Sequence, residues 1–269
     1  MSAIRRVGIV VVVLAVLITC AVVTLHSVAY IPPILMYHSI SPQQPSDTLH
    51  VSQPTFQRQM GFLRKNKYNV IPLESLAALI REKRKIPPKT VAITFDDGRK
   101  DNYTFAFPIL RHYRLPATIF VIVNEVTRPD RLTWEEIRAM DQSGVITIGS
   151  HTLDHPYLLE INSTDELTRQ IFDSKAALES HLGRPVEAFS YPIGGFNAQI
   201  RKIVMDAGYR CSVATAPGKH YPNDDIFALK RIKITEKANN LFVFRVQTSG
   251  YYTFFKDFFS MKKSKGYGE

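Results

Sequence analysis

Hydrophobic and polar positions divide the chain into two unequal parts. Residues 7–25 carry no charge, and most of them are Val, Leu, Ile or Ala. Nineteen helical residues at 1.5 Å rise reach about 28 Å, close to the thickness of a bilayer core. A buried helix of a soluble domain would keep a polar stripe, and this run has none. Arg5 and Arg6 precede it and the next base is Arg58, so the positive-inside rule keeps the N-terminus cytoplasmic and exports the rest. The pattern predicts a membrane anchor or signal segment over 1–28 and one exported domain over 29–269. The run is long for a signal-peptide core, which favours a retained single-pass anchor. Cleavage after Ser27-Val28-Ala29 would instead secrete the domain.

From Tyr30 onward strand-like and helix-like segments alternate, without a repeat or a low-complexity linker. Short apolar runs predict strands over 34–37, 90–95, 117–123, 145–149, 186–190, 209–215 and 229–234. Helical spacing covers 55–65, 73–83, 103–113, 134–142, 164–181, 198–207 and 241–246. Pro54 and Pro72 stand near helix starts, Thr133 and Glu136 form a capping box, and Gly144, Gly183 and Gly208 follow helix ends. Apolar, unalternating strands separated by helices imply a parallel sheet covered by helices. An open doubly wound sheet and a closed barrel both fit, and both gather functional groups at the C-terminal ends of strands.

Composition narrows the class. With 45% hydrophobic residues and two cysteines in 269, the chain is neither disordered, collagenous nor a disulfide framework. Cys20 falls in the apolar run, which leaves Cys211 alone in the exported part as a buried strand residue. The net charge of +10 stays at +8 once Arg5 and Arg6 are set aside. It favours residence near an anionic envelope, while an outward-facing domain excludes nucleic acid as a partner.

Three polar motifs fall at predicted strand ends. Asp96-Asp97-Gly98 follows the strand at 90–95, and His151 and His155 follow the strand at 145–149. Tyr191-Pro192-Ile193-Gly194-Gly195 follows the strand at 186–190. An i, i+4 pair puts both imidazoles on one side of a helical turn, and with one carboxylate it makes a three-ligand metal site with open positions. One Asp can bind the metal while its neighbour takes a proton from water of lowered pKa. Backbone N–H groups of the Pro/Gly turn can stabilise an oxyanion. This is equipment for hydrolysing an amide or ester.

The TFDDG, SHTxxH and YPxGG segments, in this order, resemble polysaccharide deacetylases of the NodB-homology, carbohydrate esterase family 4 type, from about residue 34 to 234. The MYHSI segment at 36–40 and the LTWEEI…SGVITIGSHTLDH context look most like the poly-N-acetylglucosamine deacetylase branch. The resemblance implies a distorted (β/α)₇ barrel and a divalent metal, usually zinc, with cobalt, nickel or iron also compatible with these ligands. It implies removal of acetyl groups from N-acetylglucosamine residues of an extracellular or cell-wall polysaccharide. Carried over, Asp96 is the general base, Asp97, His151 and His155 are the metal ligands, and the turn Tyr191, Pro192, Ile193 and Gly194 supplies substrate and oxyanion contacts. The family pattern has Arg where Ser190 stands and Tyr where Ile193 stands; Arg231 is the candidate replacement that orients the base. A late Leu-x-His motif is absent, and His38 is the substitute general acid.

His112, His181 and His220 are expected at the surface, Trp134 as packing, and 251–259 as a terminal helix on the barrel, ahead of a membrane-surface or glycan-groove role. Two other functions share these features. A catalytically weak glycan-binding protein would need no base. A non-haem iron oxygenase would use two His and one carboxylate but not the second Asp.

Overall fold

The computed structural model describes residues 30–42, 47–215 and 224–257, with Val13 and Leu14. Apart from those two residues, the 7–25 run lies outside the described residues, as do His220 and residues 258–259 of the terminal aromatic stretch. Among the described residues no helix is long and apolar enough to cross a membrane.

The chain runs β1 (Ile34–Tyr37), β2 (Ser39–Ser41), β3 (His50–Ser52), α1 (Gln53–Lys65), β4 (Asn69–Val70), α2 (Leu73–Arg81) and β5 (Thr90–Phe95). It continues α3 (Phe107–Tyr113), β6 (Ala117–Val121), α4 (Trp134–Gln142), β7 (Ile146–Ser150), α5 (Thr164–Thr168), α6 (Ser174–Leu182) and β8 (Ala188–Ser190). Last come α7 (Ala198–Asp206), β9 (Cys211–Ala214), β10 (Leu229–Lys230), β11 (Ile232–Lys233) and α8 (Leu241–Gln247). The main sheet is parallel, ordered β10-β9-β8-β7-β6-β5-β1-β11, with β4 added to β5. Only Arg231 separates β10, which pairs with β9, from β11, which pairs with β1. One kinked stretch thus bridges the two ends of the sheet and makes a nearly closed barrel.

Period-two alternation sorts each strand's residues between two cores. Leu35, Tyr37, Ile93, Phe95, Ile119 and Ile148 face outward onto Phe56 and Met60 of α1, Leu110 of α3, Ile137 of α4 and Leu178 of α6. Ile34, Ala92, Phe120, Ala188, Cys211, Val213 and Leu229 form a second cluster on the axis, joined by Leu73, Leu76 and Ala77 of α2. Cys211 is a free, buried cysteine. Gly149 is forced by this interior, because a Cβ there would lie 2.5 Å from the Phe120 ring.

The helices begin where their caps predict. Ser52 accepts from the Thr55 N–H at the start of α1, and the Thr133–Glu136 capping box opens α4. The single helix expected over 164–181 is instead three pieces, with a π-helical turn at Arg169–Asp173 that buries the adjacent residues Gln170 and Ile171 together. The helix expected over 103–113 likewise starts with a π-helical turn, Asn102–Ala106. The strand expected over 229–234 is broken at Arg231, and the one over 117–123 ends at Val121 before a 3₁₀ turn, Val123–Glu125. The short parallel pair β2–β3 and strand β4 carried no periodic signal.

Candidate active site

Followed toward the strands' C-terminal ends, the inward-facing rows change from apolar to polar. Ile34 and Met36 lead to His38, Ala92 and Thr94 to Asp96, Gly149 to His151, Ala188 to Ser190, and Leu229 to Arg231. The same alternation that fills the barrel below therefore collects these five side chains at one mouth. Phe120 forms the floor, with its ring 5.8 Å from the Arg231 guanidinium and 6.5 Å from the His151 ring.

Asp96 is 3% exposed and gripped by Arg231 through two parallel bonds, Nη1 to Oδ1 and Nη2 to Oδ2, each 2.7 Å. Ser190 completes the arrangement, donating to Asp96 Oδ1 at 3.3 Å and accepting from Arg231 Nη2 at 3.0 Å. The position that holds Arg in the family pattern thus holds a small hydroxyl, and the guanidinium enters from the closing stretch instead. Burial would push the Asp96 carboxyl up, but the Arg231 charge, His151 and the Arg231 hydrogen bonds hold it well below the usual carboxylate range.

Asp97 turns away from this pair. Its backbone is left-handed (φ 73°), its Oδ2 accepts from Arg99 Nε at 3.3 Å, and its Oδ1 lies 3.8 Å from His151 Nε2 and 3.9 Å from His155 Nε2. His151 Nδ1 sits 2.8 Å from the Ser190 carbonyl, which fixes the proton on Nδ1 and leaves the Nε2 lone pair facing Asp97. Thr152 and His155 are also left-handed, with φ of 68° and 59°, and the Thr152 hydroxyl accepts from the His155 N–H at 3.0 Å. These left-handed residues turn both loops around the cluster. The three donor atoms lie within 4.8 Å of one another. Tetrahedral bonds of about 2.1 Å require donor pairs about 3.4 Å apart, so this N₂O set fits a small divalent cation.

His38 follows β1 and is partly buried; burial pushes its imidazole below the ordinary value, opposed by the nearby Asp96 and Asp97 carboxylates. Asn102, fully buried at the π-helical turn, donates to the His38 carbonyl at 2.8 Å. Neither Asn102 nor Arg99 stood out in the sequence, although both belong to the polar run that follows Asp97.

The turn after β8 differs from expectation. Tyr191 is fully buried with its ring outside the barrel, its hydroxyl donates to the Phe227 carbonyl at 3.0 Å, and its N–H donates to Val213 at 3.1 Å. It therefore supports the turn and cannot contact substrate, because strand alternation sends it outward after the inward Ser190. Pro192 has no N–H, and the Gly194 N–H is taken by the Tyr191 carbonyl at 2.9 Å. Gly194 is needed for φ 76° and for a close approach to Thr215, whose N would lie 3.0 Å from an added Cβ. Of the four expected oxyanion contacts, the Ile193 N–H is the one with no partner among the described residues, and its side chain is 67% exposed at φ 57°.

Of the other residues weighed, His112 is exposed as expected. His181 is exposed too but stacks on the Trp134 ring at 3.7 Å, so Trp134 is packing.

The fold is a parallel α/β barrel that carries, at its C-terminal mouth, an acid–imidazole cluster able to hold a metal ion and a separately clamped carboxylate. Comparison with known proteins makes this specific: the polysaccharide deacetylase family profile matches residues 83–212. The putative polysaccharide deacetylase YxkH of Bacillus subtilis (strain 168) is 35% identical over 205 residues, 76% of this chain and 71% of that protein. A poly-β-1,6-N-acetyl-D-glucosamine N-deacetylase of Staphylococcus aureus is 26% identical over 200 residues, 70% of this chain and 69% of that one. The solved Streptococcus pyogenes deacetylase PplD, in complex with acetate, superposes with TM-score 0.72 at 29% identity, covering 79% of this chain and 97% of that chain. The chain belongs to the polysaccharide deacetylase family.

Proposed function

We propose that the protein is a metal-dependent N-deacetylase of N-acetylglucosamine residues in an extracellular or cell-wall polysaccharide. The observation that carries this reading is the division of labour in the Asp96-Asp97 doublet. Arg231 clamps the first carboxylate, while the second faces the two imidazoles. The named S. aureus relative supports poly-N-acetylglucosamine as the substrate. A divalent cation held by Asp97, His151 and His155, zinc by the donor set, would supply Lewis-acid polarisation and lower the pKa of a water.

The remaining steps fall to the chain's own groups. An oxygen of Asp96 accepts the proton of the attacking water, and Arg231 fixes its direction. A carboxylate held so low is a weak base at rest and gives its proton up readily, which suits a relay toward the departing nitrogen. His38, whose backbone carbonyl Asn102 holds, takes that proton from Asp96 and delivers it to the nitrogen. The Ile193 N–H donates to the carbonyl oxygen as charge develops on it. The apolar run over 7–25 supports membrane anchoring with the domain outside, or secretion after cleavage near Ala29.

Acetate release from β-1,6-linked N-acetylglucosamine oligomers, chitin oligomers and peptidoglycan tests the proposal. Release from the β-1,6-linked oligomers is expected. Folded, metal-loaded protein that releases none from any of the three would overturn the deacetylase reading.

A further inference from the structure

The barrel end opposite the site carries an unused combination of charge and exposed aromatic surface. The C-terminal end of α1 and the turn after it present Arg64, Lys65 and Lys67, and the segment after α2 presents Lys83, Arg84, Lys85 and Lys89, all exposed. Glu82 is the one acid within these two segments. Hydrogen bonds tie them to one neighbourhood: Tyr68 Oη to Thr248 Oγ1 at 3.1 Å, Tyr30 Oη to the Pro87 carbonyl at 3.4 Å, and Ile31 N to the Gly250 carbonyl at 2.7 Å. Beside them Phe242 (71% exposed), Val246 (42%) and Phe255 (51%) border a hollow of ≈ 380 Å³. These segments enter β1, β4 and β5 from their N-terminal ends, so β5 sets this face about 20 Å from Asp96.

We propose that this face docks on an anionic lipid bilayer, turning the catalytic mouth away from the membrane toward the glycan. The proposal rests on the anchoring reading given above. Tyr30 is pinned in the face, and the uncharged run ends at Leu25, at most about 17 Å of extended chain away. Wherever that run is held in a bilayer, the basic segments lie within reach of its headgroups. Clustered bases favour anionic lipid, and the adjoining apolar hollow favours a bilayer over a dissolved polyanion.

The test uses the full chain reconstituted in vesicles of brominated phosphatidylcholine, with or without one part in about three of phosphatidylglycerol. Phe242→Trp places an indole in the face. Trp134, the chain's single tryptophan, lies near the catalytic end, where the Leu132 N–H bonds the Gly98 carbonyl, and serves as the control. The expected result is about twofold or greater quenching of the added indole with the anionic lipid and little without it. Lys83→Glu, Arg84→Glu and Lys85→Glu together should abolish that difference while melting and circular dichroism stay unchanged. An unquenched indole, or equal quenching in both vesicles, overturns the proposal. Retention after an alkaline wash reports the anchor separately. A retained but unquenched chain sinks the docking alone, and a quenched but extractable chain sinks the anchor alone.

Discussion

Asp96 and Arg231 are both buried, so removing either strands the other's charge in the barrel. Arg231→Met should cost about 3–5 kcal/mol of stability, read by chemical denaturation, and abolish turnover. Adding Asp96→Asn to it should recover much of the stability and none of the activity; a double variant as unstable as the single one would show that the pair is not the determinant. His38→Gln should lower kcat by about 10²–10⁴ with metal content unchanged, and a wild-type rate would remove His38 from proton transfer. At this scale the sequence was uneven. Adjacent Asp96 and Asp97 and the His151, His155 spacing declared themselves locally. Arg231 meets Asp96 across 135 positions, and only closure of the sheet brings them together. Tyr191 misled because a motif states order, whereas the strand's pleat decides which side chain faces inward.

The turn after β8 is where an element departs from what its residues prefer. Ile193 is β-branched, exposed and left-handed, which costs about 1–2 kcal/mol, and its proposed contribution is only its N–H. Ile193→Asn keeps that N–H and tolerates the backbone angle, so it should raise stability by about 1 kcal/mol and leave kcat/KM within about twofold. Collapse of activity would assign the role to the side chain. Elsewhere the elements followed their caps and periods closely, with failures that share a cause. The π-helical turns at Asn102–Ala106 and Arg169–Asp173 spend helical regularity on buried polar side chains, Asn102 toward the His38 carbonyl and Gln170 toward Asp154. No helical period records such a partner. Strands of two or three residues, such as β4 and β2, are too short to show a period at all.

Over the whole molecule, α2 contributes Leu73, Leu76 and Ala77 to the axial core and brings Glu74 with them. Burial pushes the Glu74 carboxyl up to about 7. Its folded value is above its unfolded one, so the native state holds the extra proton and stability falls as pH rises from about 4.5 to about 7. The penalty should reach about 3 kcal/mol above pH 7, and Glu74→Gln should flatten the stability–pH curve there. An unchanged curve would show that the carboxyl is relieved in solution. The α/β class and the placing of polar motifs at strand ends were readable along the chain, but closure through Arg231 was not, because it depends on one residue dividing its neighbours between two distant strands. That closure also sets the clamped Asp96 beside the acid–imidazole cluster, and the proposed chemistry depends on the two together. The most direct measurement is acetate released from β-1,6-linked N-acetylglucosamine oligomers by metal-stripped and zinc-reloaded protein, native and Asp96→Asn, with bound metal assayed in each. Zinc-dependent release by the native chain, and none by Asp96→Asn at equal zinc content, is expected; release that ignores zinc, or survives the loss of the Asp96 carboxylate, would contradict the proposed mechanism.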